Sequence, residues 1–442
     1  MNRREILAAL AVIGAIPTAR AHAATGDLRS AAREAWLYGL PLVEMATARA
    51  RALAGPDAVL KRLNAFGHGR HLAGPQSRNV TTPNNDTLYS RAWLDLSRGP
   101  VTMEIPPTGD RYISVAGMNM FTDNDFVLGT RTTGGGGGRY TIVGPGQAGE
   151  GPNVVRLKTP EGWVLVRILV DGPDDLSAVH RIQDGLRMSG PTAPAPAAYA
   201  ERSAPPLEYF ASVARLLKAN PPPATDGALF GRAAPLGLTA QGGFDPRRFD
   251  AAATAEIAAG VAEARRALMG QRPGGAVQGW TYPRTTLGDF NQDYAFRAAV
   301  ALGGLAALPP AEAMYMQPVA EQGRMFTGEG PYRLHFPADR LPAVDAFWSL
   351  TLYEATPDGQ FFLVENPIQR YSIGDRTPGL RKNADGSLTL WIARGDPGGE
   401  RSANWLPAPA KGPFSLSFRA YLPKDEFRDG RYRLPALEAV AG

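Results

Sequence analysis

The chain has no cysteine and only five histidines in 442 residues. The missing cysteine excludes disulfides, a thiol nucleophile, a lipid-anchored N-terminal cysteine and cysteine-ligated metal. Neither H-E-x-x-H nor G-x-S-x-G occurs, so zinc-protease and α/β-hydrolase chemistry have no motif to rest on. No apolar run approaches the roughly 20 residues needed to cross a bilayer, so stable membrane insertion is not expected. Basic residues form no run, and no nucleic-acid motif is present. The formal net charge is +5, of which Arg3, Arg4 and Arg20 against Glu5 supply +2. A polynucleotide partner is therefore not expected. No cofactor is required by anything in the pattern. The expected partner is a small molecule or a glycan, with homo-oligomerisation left open.

What is present begins with an export signal. Asn2-Arg3-Arg4-Glu5-Ile6-Leu7 is a twin-arginine start, an apolar run follows to Pro17, and Ala21-His22-Ala23 fits the A-x-A cleavage rule. Residues 1–24 are thus expected to be a signal peptide and the mature chain periplasmic or secreted. Fifty glycines and 39 prolines, without periodicity, indicate many turns and a largely β protein.

Helical spacing of Ala31, Ala32, Ala35 and Trp36 predicts a helix over 28–53, which Pro41 should kink or end. Strand alternation runs from Asn79 to Val170. Ser90, Ala92, Leu94 and Leu96 form one face of a strand; Tyr89, Arg91, Trp93 and Asp95 form the other. In Trp163–Val170, one face is wholly β-branched, and Arg167 is a lone charge on the opposite apolar face. Gly134–Gly138 reads as a flexible hairpin tip. Residues 176–325 read as helical with loops, including a helix capped by Asp250 and a buried helix over 291–308. From Tyr332 onward, short alternating strands suggest a sandwich or jelly roll. The expected fold is α+β: an N-terminal α+β domain (28–175), a helical or linker region (176–325) and a C-terminal all-β jelly-roll-like sandwich (326–442).

The densest polar stretch is Pro83-Asn84-Asn85-Asp86-Thr87-Leu88-Tyr89. A carboxylate flanked by amides can act as a general base, hold a hydroxyl or ligate a cation; equally, Asp86 can close an Asx turn ahead of the strand. Tyr89, Arg91 and Trp93 form a surface suited to stacking and to holding a carboxylate, or else a second packed layer. Arg167 needs a partner, because an unpaired buried charge costs several kcal/mol. Asp86, Asp123 or a ligand acid could serve, or the pair could be purely structural.

The candidate site therefore joins Asp86 and Arg167 as catalytic groups with Asn84, Asn85, Tyr89, Arg91 and Trp93 as substrate contacts. Hydrolysis or elimination suits such groups. A non-catalytic envelope protein is the alternative. A metal-dependent oxidoreductase is a third reading, drawn from the export signal and from His68 and His71. Asp123-Asn124-Asp125 has calcium-like spacing but no EF-hand glycine or glutamate, so no metal is expected there. Asn404-Trp405-Leu406-Pro407 reads as a loop anchor. Tyr371, Trp405 and Tyr421 could instead line a cleft. Arg419 lies opposite the core, either exposed or bound across a domain interface.

These residues carry a family likeness. Ala35-Trp36-Leu37-Tyr38-Gly39-Leu40-Pro41, Asn84–Ser90, Arg111-Tyr112 and Gly129–Gly134 in the first half, with Tyr332–Pro337, Phe347–Tyr353, Arg370-Tyr371-Ser372 and Asn404–Pro407 in the second, are the carriers. The chain resembles exported bacterial proteins that pair domains of unknown function numbered 1254 and 1214. The resemblance implies an α+β part joined to a jelly-roll-like part and brings no reaction with it. Where the family usually reads Asp-Met-Tyr-Thr, this chain has Asn119-Met120-Phe121-Thr122.

Overall fold

The computed structural model describes residues 25–54, 60–78, 81–270, 276–319, 325–327, 329–357 and 359–440. The expected signal peptide lies outside them. Helix α1 (Thr25–Ala54) passes through Pro41 without ending. Proline in a helix interior costs about 3 kcal/mol. Its neighbours Leu40, Leu42 and Val43 are wholly buried, and each such side chain returns about 1.5–3 kcal/mol. Burial therefore outweighs the broken hydrogen bond.

Helices α2 (Leu176–Gly185), α3 (Pro206–Ala219), α4 (Gly227–Arg232), α5 (Ala251–Gly270) and α6 (Tyr294–Gly303) fill the middle of the chain. Ile257, Val261, Ala264 and Leu268 of α5 face the core around α1, as their spacing predicts, and Asp250 Oδ1 caps the helix by accepting from Ala253 N. Helix α6 is shorter than the expected 291–308 segment, and its Leu302 is exposed. At Gly260 a Cβ would lie 2.2 Å from the Arg29 carbonyl oxygen on α1. The two helices cross at backbone contact there. Gly260→Ala is expected to force them apart and destabilise the protein by about 1–3 kcal/mol in urea unfolding.

Two sheets form the first half. One runs β1 (Gly67–His68), β2 (Thr87–Asp95), β8 (Glu161–Leu169), β4 (Ile113–Asn119), β5 (Asn124–Gly129). The other runs β7 (Val154–Arg156), β6 (Gly138–Val143), β3 (Val101–Ile105), β9 (Arg187–Ser189). Leu88, Ala92, Leu94, Val164, Val166 and Ile168 pack between them. Because β5 and β6 belong to different sheets, Gly134–Gly138 is a crossover rather than a hairpin tip. The Gly135 carbonyl accepts from Thr108 N and Gly109 N at 2.7 and 3.1 Å.

The C-terminal half is a two-sheet, sandwich-like unit without a closed barrel. Its larger sheet runs β10 (Ala276–Val277), β11 (Trp280–Thr281), β12 (Ala313–Pro318), β19 (Phe414–Pro423), β14 (Val344–Ala355), β15 (Phe361–Phe362), with β16 (Ser372–Gly374) on β14. The smaller runs β18 (Trp405–Pro407), β17 (Leu388–Ala393), β13 (Tyr332–Phe336), β20 (Leu437–Ala439). Strands β10 to β12 thus come from the segment expected to be helical. Trp348, Leu350, Leu352, Leu416 and Phe418 point into the core between the sheets. The alternate residues Phe347, Ser349, Thr351, Tyr353, Arg419 and Tyr421 face the first half. No helix among the described residues is long and apolar enough to cross a membrane.

Candidate functional site

One face of the five-stranded sheet seats the site. Cross-strand register places Tyr89 opposite Arg167, Arg91 opposite Leu165 and Trp93 opposite Trp163, with Ser114 beyond Arg167 on β4. Residues directly opposite share a face. The helices cover the Trp93 end, and the C-terminal sheet covers the Arg167 end. Strand β8 is central, yet Trp163 is only half-buried, as are Tyr89 and Arg91 on β2. The covering layers therefore do not close over this part of the face.

Six buried polar atoms on the face have no hydrogen-bond partner among the described residues: Thr87 Oγ1, Arg91 Nε, Trp93 Nε1, Ser114 Oγ, Trp163 Nε1 and Arg167 Nη1. Four of them are obligate donors. Arg167 is 5% exposed. Its Nη2 donates to the Ala306 carbonyl at 2.7 Å, and its guanidinium lies 5.5 Å from the centre of the Tyr89 ring. No described carboxylate lies within 4.0 Å of Arg167 or of Arg91 (the ion pairs of this structure involve other arginines). Burial works against the Arg167 charge, and the phenol oxygens of Tyr315, Tyr89, Tyr112 and Tyr421 work for it, with the balance upward. Burial lowers the pKa of Arg91, opposed by Tyr89. Among the described residues, the acids on the strands of this face, Glu161 and Asp95, stand at its far end, and Glu312 of the second half, paired with Arg131, acts on Arg167 from beyond hydrogen-bond distance. Glu161 is taken by Arg49 Nη1 and Asn220 Nδ2, and Asp95 by Ser97 N.

Asp86 does not face Arg167, contrary to the sequence expectation. It lies three positions before Tyr89, out of phase with that side chain, and meets the C-terminal sheet instead. Ser349 Oγ donates to Asp86 Oδ2 at 2.7 Å, and Arg419, the cross-strand neighbour of Ser349, is the cation beside it. Burial pushes the Asp86 carboxyl up, while Arg419 and the Ser349 hydroxyl pull it back; the net shift is upward. Arg419 is buried across the interface, the second of its two expected states. It donates to Thr351 Oγ1 at 2.7 Å, Tyr353 Oη at 2.6 Å and the Thr82 carbonyl at 3.1 Å. Tyr353 Oη donates to the Pro83 carbonyl at 2.9 Å.

The remaining amides are also occupied. Asn84 Oδ1 accepts from Asp86 N at 2.6 Å, an Asx turn, and its Nδ2 donates to Tyr421 Oη at 2.6 Å. Asn85 Nδ2 holds the Ala73 carbonyl. Trp93 is 1% exposed and stacks on Trp163 with ring centres 4.8 Å apart. Of the seven residues expected at the site, the structure brings together Tyr89, Arg91, Trp93 and Arg167; it places Asn84 and Asp86 in the seam between the halves and Asn85 on the Ala73 carbonyl of the first half. Trp163 and Thr87 also lie on this face and were not among the seven expected site residues, although Thr87 stood in the polar stretch around Asp86. Their signal was the alternation itself, since both fall in phase with Arg167 or Arg91.

Other candidates resolve into scaffold. Asp123 binds Phe290 N at 2.9 Å and Arg297 at 3.2 Å. His68 Nδ1 meets Ser90 Oγ at 2.8 Å. Among the described residues, no three His, Asp or Glu side chains converge as a metal site would need. Asn404 ties Arg381 to Thr389, and Trp405 Nε1 donates to Ala393 O at 2.8 Å. Trp405 belongs to the smaller sheet and Tyr421 faces the first half, so they share no cleft.

Asp125 accepts from Lys158 N and Asn119 Nδ2, yet burial raises its pKa from 3.8 to about 6. The folded state holds this proton more tightly than the unfolded chain. The resulting stability is complete below about pH 4 and is lost as pH rises through about 6. At about 1.4 kcal/mol per unit, acidification from neutrality should return about 2–3 kcal/mol. Urea unfolding at several pH values checks this, with Asp125→Asn expected to flatten the profile.

The model of Protein of unknown function (DUF1254) matches residues 63–190, and that of DUF1214 matches residues 312–425. The chain belongs to the proteins that pair these two domains. The DUF1254 match holds β2, β4 and β8; the DUF1214 match holds β12, β14 and β19, so the seam joins the two. The VPA0106 protein from Vibrio parahaemolyticus, a crystal structure, is similar in fold with a TM-score of 0.70 and 23% identity, over 94% of this chain and 100% of that one. An uncharacterized protein from Burkholderia cenocepacia matches at TM-score 0.46 and 14% identity, over 89% and 86% of the two chains. No curated protein matches.

Proposed function

We propose that this protein captures a small organic anion, a carboxylate, on the Arg91–Arg167 face between its two halves. One observation carries the reading: two guanidiniums share a partly accessible sheet face with no carboxylate partner there, and each keeps a buried N–H unpartnered. Buried charge without compensation is costly, so the arrangement is stabilised by an anion that enters. A glycan fits less well, because its hydroxyls offer donors that meet no free carboxylate on this face. Asp86 is not offered as acid or base, since Ser349 and Arg419 already occupy it. The twin-arginine start supports a periplasmic place of work.

Calorimetry tests the reading with octanoate and adipate against octanamide. Both acids are expected to bind more tightly than the amide. Arg167→Met should weaken them about 10–150-fold, the equivalent of one charge-assisted hydrogen bond of about 1.5–3 kcal/mol, while circular dichroism stays unchanged. Equal affinity for acids and amide would remove the proposal.

A further inference from the structure

The Arg167 end of the face is covered by the segment between α6 and β12. Arg167 Nη2 donates to the Ala306 carbonyl at 2.7 Å, and Nη1 has no partner. Ala306 is buried and Leu305 half-buried in the apolar cluster that holds Leu165, Trp93 and Trp163. Arg167 is 5% exposed, so a carboxylate reaches it only when something above it moves.

The backbone marks this segment as the part that moves. Ala306 has φ +69°, a left-handed conformation unfavourable for a residue with a Cβ. Before it stand Gly303, the last residue of α6, and Gly304, both exposed. Neither has a positive φ, and a Cβ on Gly303 would meet nothing within 4 Å. Neither packing nor a left-handed turn requires glycine there; the pair supplies backbone freedom. The far end is fixed. Leu308 is wholly buried with Tyr112, Phe347 and Tyr421, and Pro309-Pro310 follow. Between these ends, Arg167 holds the Ala306 carbonyl and Asn124 Nδ2 holds that of Ala307 at 3.1 Å.

Resting on the anion-binding reading, we infer that residues 304–307 are a strap that pivots at Gly303-Gly304, and that the Ala306 carbonyl occupies Arg167 until a ligand carboxylate displaces it. A carboxylate brings a full charge and two oxygens, enough for Nη2 and the unpartnered Nη1 together. Its entry also releases Ala306 from the left-handed region.

Hydrogen exchange read by mass spectrometry on the intact protein tests this, with and without saturating octanoate. Peptides over 303–308 should exchange about tenfold or more faster when octanoate is bound, while those of β8 do not. Arg167→Met removes the tether, so the strap should exchange at the faster rate without ligand, and octanoate should then change nothing. Proline cannot adopt a positive φ, so Ala306→Pro should hold the strap open and speed octanoate association about tenfold in stopped-flow fluorescence. Should that variant fail to fold, the exchange measurement on the unaltered protein still decides. Arg167-dependent octanoate binding that leaves strap exchange unchanged or slower overturns the strap while anion capture stands. If octanoate does not bind in an Arg167-dependent way, the underlying reading fails instead.

Discussion

Arg419→Met should lower stability by about 3–5 kcal/mol, the largest loss expected from a single substitution at the seam. Arg419 is 4% exposed and serves three acceptors besides the nearby Asp86 charge. Its removal leaves Asp86 with only the Ser349 hydroxyl and takes a donor from Tyr353, Thr351 and the Thr82 carbonyl. Methionine fills the volume but satisfies none of them. Each buried acceptor left bare costs about 1–3 kcal/mol, more when charged. The double variant Asp86→Asn/Arg419→Met should recover about 1–2 kcal/mol relative to the sum of the single changes, because the orphaned carboxylate is gone. Urea denaturation of the four proteins measures the coupling. Strict additivity would mean that Asp86 and Arg419 act independently.

Arg167→Met should do the opposite. This guanidinium has one backbone acceptor and no carboxylate within 4.0 Å. The tyrosines that favour its charge do so only as phenolates, and burial keeps Tyr112, Tyr315 and Tyr421 protonated at neutral pH, so methionine of similar length removes a desolvation cost with little to lose. Stability is expected to stay level or to rise by about 1–4 kcal/mol, even as carboxylate binding falls. The same substitution type at two buried arginines thus separates their roles. A structural Arg167 would unfold the protein as Arg419 does. Denaturation without ligand distinguishes the cases, and a loss above about 2 kcal/mol for Arg167→Met would place it in the scaffold.

The sequence and the structure agree where period alone decides. Alternation in β2 and β8 separated the apolar face from the mixed one, and both faces are as expected. The helix stripe of Ile257, Val261, Ala264 and Leu268 was legible for the same reason. Pairing across the halves was not legible. Nothing local in Asp86 points to Ser349, which is 263 residues away, and a carboxylate beside two amides looks alike whether it turns a chain or holds a ligand. Arg167 was legible as an anomaly, since one charge interrupts an apolar face. Its lack of a carboxylate partner could emerge only once Asp86 and Asp123 were seen committed elsewhere. The crossover at Gly134–Gly138 was hidden because glycine marks a bend and not which sheet follows it.

The seam also sets an order of events during synthesis. Thr81 to Asp86 close onto β14, β15 and β19 through Phe361, Tyr353, Ser349 and Arg419. At about 5–20 residues per second, the ribosome needs roughly 13–50 s to deliver Ser349 after Asp86 has emerged. Through that interval the nascent first half carries the Asp86 acid, Arg91, Arg167 and the phenols of Tyr89 and Tyr112 without the second half's partners. Chaperone binding to ribosome-held chains halted before and after β14 should fall sharply only once β19 has left the exit tunnel.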